Sequence, residues 1–197
     1  MDRVQAAAAT ISGSPERTLL DVGCRDGRLR RYLPAGIEYH GCDLVPGDHV
    51  RYVGDITRID IEDRFDCVCA LDILEHVEGL HALFDKLAGL MTRQLVVSLP
   101  NCYDLKSRVN FGFRGRLGGK YTFEPEAKVD RHRWLMSHSE IHAFYQAKAR
   151  QHALELDIRD LRYGDPRRYT LTSMLGVASR VLGPSLTSES VLGVFRR

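Results

Sequence analysis

Apolar positions follow two rhythms along this chain, and the switches between them outline its elements. Positions 17–23 form an apolar run, Thr18-Leu19-Leu20-Asp21-Val22, that closes on Gly23. That run predicts a first strand. Leu29 and Leu33 stand four apart in a basic stretch, which predicts a helix over 27–33 that ends at Pro34-Ala35-Gly36. Positions 37–43 and 51–56 read as the second and third strands, closing near the acids Asp43 and Asp55. The nearly unbroken apolar character of 65–71 predicts a central strand covered on both faces. Helical spacing returns over 81–91, and a fifth strand is expected over 94–101, ending Pro100-Asn101. Ser137 and Glu140 make a capping box for a helix through Ile141, Phe144, Tyr145 and Ala149. Alternation over 154–159 predicts a sixth strand, and 190–195 a last one. Residues 1–14, closed by Ser12-Gly13-Ser14-Pro15, read either as a short helix or as a disordered arm.

Two segments fit neither rhythm. Residues 102–135 carry Lys106, Arg108, Arg114, Arg116 and Lys120, with Phe111, Phe113, Tyr121 and Phe123 interleaved and no acid between Asp104 and Glu124. A loop of this length in a compact domain is usually a lid or a binding loop. Basic and aromatic residues together suit an anionic or phosphorylated acceptor, or a single-stranded nucleic acid; a solvated basic loop is the plain alternative. Residues 165–184 hold an apolar helical stretch near 171–182, which could cap a site, join a partner or anchor a peripheral contact. With 197 residues, the whole chain 1–197 is expected to be one α/β domain carrying these two insertions.

Composition narrows the function. A chain that is 44% hydrophobic and 27% charged is globular in character, and a net charge of +2 argues against broad nucleic-acid binding. The five cysteines are odd in number, and Cys67-x-Cys69 has no second pair, so buried thiols in a reducing cytoplasm are expected in place of disulfides or a zinc ribbon. The Ala6–Ala9 run is too short for a membrane span or a signal peptide. No oligomeric state is indicated.

The most specific stretch is Asp21-Val22-Gly23-Cys24-Arg25-Asp26-Gly27. Strand, glycine turn and helix open a doubly wound nucleotide-binding sheet, with free N–H groups at the helix start. The spacing is not G-x-G-x-x-G, which disfavours a nicotinamide-linked dehydrogenase. An acid ahead of the turn repels a pyrophosphate but suits a cationic amino-acid ligand. Asp43, about 20 residues on, stands where an acid accepts hydrogen bonds from ribose hydroxyls. The turn resembles motif I of the class I S-adenosylmethionine (SAM) methyltransferases, with Arg25 in place of the middle glycine. Phe65-Asp66 leading to Leu74-Glu75-His76-Val77 is similar to the fourth motif of many small-molecule O- and C-methyltransferases, and the chain resembles the small bacterial, type 11-like members of the family. The resemblance covers residues 17–101 in motif order. It implies a seven-stranded, mostly parallel, Rossmann-like sheet whose last strand is antiparallel at the edge, and SAM as cofactor. The cofactor-binding positions it implies are Asp21, Gly23, Cys24, Arg25, Gly27, Asp43, Leu44, Asp55, Ile56 and Leu71, with Asp55 on the adenine amino group and Ile56 on its ring.

The expected reaction is methyl transfer to a small or medium-sized acceptor, at oxygen. An oxygen acceptor needs its proton removed. His132, beside the only tryptophan (Trp134), and then His76 are the preferred bases, with Asp72 and His138 behind them. Asp72-x-x-Glu75-His76 with His132 also resembles the divalent-metal ligands of two methyltransferase groups. One acts on catechol-like quinone precursors, the other on the terminal 2′-hydroxyl of small RNAs; both would use Mg²⁺ or Mn²⁺. Two alternatives therefore stand beside the main reading: a metal-assisted RNA 2′-O-methyltransferase, and a binding module in which Arg25 has cost the domain its catalysis.

Overall fold

A computed structural model describes residues 2–15, 17–122, 125–126, 131–162 and 182–197. Seven strands form one sheet: β1 Thr18–Val22, β2 Glu38–Asp43, β3 Val50–Val53, β4 Phe65–Leu71, β5 Met91–Pro100, β6 Glu155–Arg162 and β7 Ser188–Arg196. Their order is β3-β2-β1-β4-β5-β7-β6. β1 to β5 pair in parallel, while β7 is antiparallel to both β5 and β6.

Side chains alternate across the sheet and divide the core in two. Leu20, Val68, Leu95, Val97 and Phe195 face α2 (Leu80–Leu90) and α4 (His138–His152). Leu19, Cys67, Val96 and Val194 face α1 (Arg3–Ser12). The N-terminal stretch is therefore a helix: Asp2 and Gln5 close a capping box, and Ala6, Ala7, Ala8 and Ile11 let it lie close to the sheet. All five cysteines are buried thiols.

Several expectations are corrected. The last strand is not at the edge; β7 lies between β5 and β6, and the edges are β3 and β6. The distinction was in the residues: Val191, Leu192, Val194 and Phe195 are all buried, as an interior strand requires, while β6 carries the edge charges Glu155, Asp157 and Arg159. The helix over 27–33 is only a 3₁₀ turn, Leu29–Tyr32, because Leu29 alone is buried among exposed arginines and Pro34 stops the chain. No α-helix N-terminus therefore stands behind the glycine turn. In the supposed patternless lid, α3 (Leu105–Arg114) is capped by Asp104, whose carboxylate accepts the Ser107 N–H at 2.7 Å, and ends on Gly115 at φ 63°. Asp55 and Ile56 lie beyond β3, in the turn that follows it. The apolar stretch at 171–181 falls outside the described residues; α5 (Pro184–Thr187) follows it.

Candidate active site

A cleft of about 2200 Å³ opens at the C-terminal ends of β1, β2, β4 and β5 and is bordered by the start of α1, by α3 and by residues near His132. This is where an open α/β sheet holds its ligands. Asp21, Gly23, Cys24, Arg25, Asp43, Leu44, Asp55, Ile56 and Leu71 all reach it. Gly27 does not. At φ 66° it turns the chain against His49, whose ring a Cβ would meet at 2.6 Å.

Gly23 has φ 73°, and a Cβ there would lie 2.0 Å from Ile73 Cδ1, so the turn passes bare backbone under the loop after β4. Arg25 adopts φ 48° without being glycine. Its N–H donates to Asp43 Oδ2 at 2.8 Å, and the Val45 N–H donates to Oδ1 at 3.2 Å. Asp43 is thereby fixed at the cleft wall with acceptor capacity left over. Leu44 and Val45 beside it are largely exposed apolar side chains. Asp21 is buried and accepts a bond from the Tyr39 hydroxyl at 2.5 Å; burial pushes its carboxyl up to about 7. Asp55 has one oxygen taken by the Thr57 N–H and hydroxyl, which hold its carboxyl below the usual range.

The acids after β4 take two separate roles. Asp72, at φ 55°, accepts the Ser98 hydroxyl at 2.6 Å and pairs with Arg3 Nε at 2.8 Å. It is not brought into the metal-ligand group that the sequence suggested. The group that does assemble is Glu75, His76 and His132, whose ligand atoms all lie within 4.8 Å of one another. Glu75 Oε1 is 3.7 Å from Nε2 of each histidine. Glu75 is fully buried, and among the described residues neither of its oxygens has a hydrogen-bond partner. Burial, then the charge of Asp72, pushes its carboxyl well above the usual range. His76 Nδ1 sits 3.1 Å from the Arg131 carbonyl, which sets Nδ1 as the protonated nitrogen and turns Nε2 toward Glu75. His132 is held edge-on between the rings of His76 and Tyr121. The Arg133 and Trp134 N–H groups both donate to the Glu75 carbonyl, pinning the His132 segment to the 3₁₀ turn Leu74–His76. His138 does not line the cleft; it faces Asp160 on β6.

Residues the sequence reading missed are Arg3, Tyr39 and Ser98. Each acts through an acid that was singled out, across 18 to 69 residues of chain, so no local motif marks them.

A family model described as a methyltransferase domain matches residues 1–156. The chain belongs to that family. It is a SAM-dependent methyltransferase of class I, and SAM is its cofactor. No curated protein matches its sequence. Among solved structures, the fold is similar to the methyltransferase domain of a bacterial Hen1 at 16% identity and TM-score 0.65, over 99% of this chain and 97% of that one. It is similar to the small RNA methyltransferase HEN1 at 19% identity and TM-score 0.68, over 99% of this chain and 25% of that one. Magnesium protoporphyrin IX methyltransferase from Synechocystis, solved with S-adenosylhomocysteine (SAH), matches at 19% identity and TM-score 0.61, over 98% and 81%.

The cleft of this methyltransferase fits SAM by the chemistry of its walls. Acceptor oxygens at Asp43 and Asp55, exposed apolar surface at Leu44 and Val45, and a buried acid at Asp21 line one cleft, a set of walls suited to a molecule with polar, aromatic and cationic parts.

Proposed function

We propose that this methyltransferase methylates a hydroxyl oxygen of an anionic acceptor, with Glu75, His76 and His132 as the acceptor-activating centre. The observation that carries the reading is a fully buried carboxyl set between two imidazoles that line the cleft. In this reading Asp43 accepts the ribose hydroxyls, Asp55 the adenine amino group, and Asp21 faces the cationic amino end. Leu44 and Ile56 enclose the adenine ring, and the backbone at Gly23, Cys24 and Arg25 lies along the amino-acid part. SAM supplies a methyl group made electrophilic by its sulfonium. What remains for the chain is to hold an oxygen in line and take its proton. His132 takes that proton as the oxygen accepts the methyl group, and the neighbouring Glu75 carboxyl, 3.7 Å from Nε2, orients its ring. The segment 102–135 acts as a lid, with α3 bringing Lys106 and Arg114 to the cleft to meet the acceptor's negative charge.

A second reading is favoured by the two oxygens of Glu75, which have no hydrogen-bond partner among the described residues, and by the histidine nitrogens 3.7 Å from one of them. Glu75, His76 and His132 offer one carboxylate and two imidazoles to a divalent cation, without Asp72. Such a cation supplies Lewis acidity that eases loss of the hydroxyl proton. Likeness to HEN1 and the basic α3 suit an RNA end as acceptor in this case.

The test is methyl transfer from labelled SAM to small hydroxylated acids and catechols, and to short RNAs ending in a 2′-hydroxyl or 2′-deoxy nucleotide, with and without EDTA. Transfer that survives EDTA and falls at least 100-fold in His132→Ala supports the general base. Transfer lost to EDTA and restored by Mn²⁺ supports the cation. Full activity in both His132→Ala and Glu75→Gln contradicts both.

A further inference from the structure

We propose that His138, His142 and Asp160 form a second metal site, one that takes a transition-metal ion such as Zn²⁺ and clamps α4 to the edge strand β6. His138 and His142 stand one turn apart at the start of α4 and so share a helix face. Leu156, Ile158 and Asp160 alternate onto the sheet face under that helix, where Leu156 and Ile158 pack on the core that holds Ile141 and Tyr145. Asp160 thus comes up directly beneath the two imidazoles.

The three side chains converge on one point. Nε2 of His138 lies 2.7 Å from Asp160 Oδ1, and Nε2 of His142 lies 3.4 Å from the same oxygen. All three ligand atoms fall within 4.8 Å of one another. Zinc bonds of about 2.0–2.2 Å place tetrahedral ligand atoms roughly 3.3 Å apart, so small side-chain rotations complete the set. As a plain hydrogen-bond cluster the arrangement is inefficient, since two imidazoles share one oxygen and the longer contact is weak. Direct bonds to one ion satisfy all three. Two imidazoles and one carboxylate select Zn²⁺, Co²⁺, Ni²⁺ or Cu²⁺ over Mg²⁺ or Ca²⁺. The side chains keep 15% to 29% of their surface, so an ion can enter and hold water in its remaining position.

The location gives the clamp a purpose. Among the described strands β6 is bonded on one side only, to β7. The two residues after Asp160, Leu161 and Arg162, reach the cofactor cleft, whereas His138 and His142 do not line it. An ion here would hold the cleft's outer strand in place and take no part in chemistry.

The experiment uses the full chain, stripped with a chelator and titrated with ZnCl₂ by calorimetry and with Co²⁺ by visible absorption. Wild type, Glu75→Gln, His142→Gln and Asp160→Asn are compared. The expected result is a zinc site that persists in Glu75→Gln and weakens at least tenfold in His142→Gln and Asp160→Asn, together with a zinc-dependent rise in unfolding temperature that those two variants lose. In wild type, zinc should also protect His138 and His142 from carbethoxylation by diethyl pyrocarbonate, read by mass spectrometry, a readout that needs no variant. Zinc binding unchanged in His142→Gln and Asp160→Asn, or a single site lost only in Glu75→Gln with no protection of His138 and His142, overturns the proposal.

Discussion

Asp21 meets two opposed demands. Its place at the end of β1 buries it, and burial pushes its carboxyl up to about 7, against an ordinary value near 3.8. The unfolded chain therefore loses this proton as the pH passes about 4, while the folded chain keeps it until about 7. Stability from this group is present at low pH, declines from about pH 4 to 7, and is level above that. Asp21→Asn should remove the decline: chemical denaturation at pH 5 and pH 8 should show a smaller drop in the variant, by up to about 2.7 kcal/mol. The same carboxyl must ionise to receive a cationic amino group, so SAH affinity should fall as the pH is lowered from 8 to 6, by at most about tenfold per pH unit. Equal affinity at both pH values would place the amino group elsewhere. At Gly23, alanine forces a Cβ onto a φ of 73° and into Ile73. Gly23→Ala should cost about 1–2 kcal/mol of stability from the backbone alone, read by urea denaturation, and should displace Ile73 into the cleft. Single residues such as Asp43 were legible because a strand end and a spacing define them. Tyr39 and Arg3 were not, because their roles depend on contacts from distant segments.

Elements show where hydrophobic rhythm succeeds and where it fails. The capping box at Ser137 and Glu140 was readable, and its side chains bond as expected. Ser137→Ala should lower stability by about 1 kcal/mol, seen as a drop in unfolding temperature. α3 was invisible because none of its residues is buried, so apolar spacing carries no signal there; only the Asp104 cap and Gly115 mark its ends. Two leucines four apart give a helical signal over 27–33, but with Leu29 alone buried the segment closes only the 3₁₀ turn Leu29–Tyr32. Family resemblance puts β7 at the edge, whereas its apolar run and the charges on β6 point to an interior strand.

Across the whole molecule, strand order and site order coincide. The parallel strands β1, β2 and β4 end on the acids and loops that form the cleft, and this is why motif order along the chain was readable as a site in space. The same sheet rests on a core in which Phe84 meets Phe144 and Phe195 edge-to-face. Phe84→Ala should cost about 3–5 kcal/mol in chemical denaturation while leaving the cleft's walls in place.

The central claim is that the acids closing these strands hold SAM. Calorimetric titration of SAH into wild type and Asp43→Ala tests it most directly, with circular dichroism to show that both are folded. The account predicts micromolar binding in wild type and at least a 50-fold loss in Asp43→Ala. Equal affinity in the two proteins, or no binding to folded wild type, would contradict it.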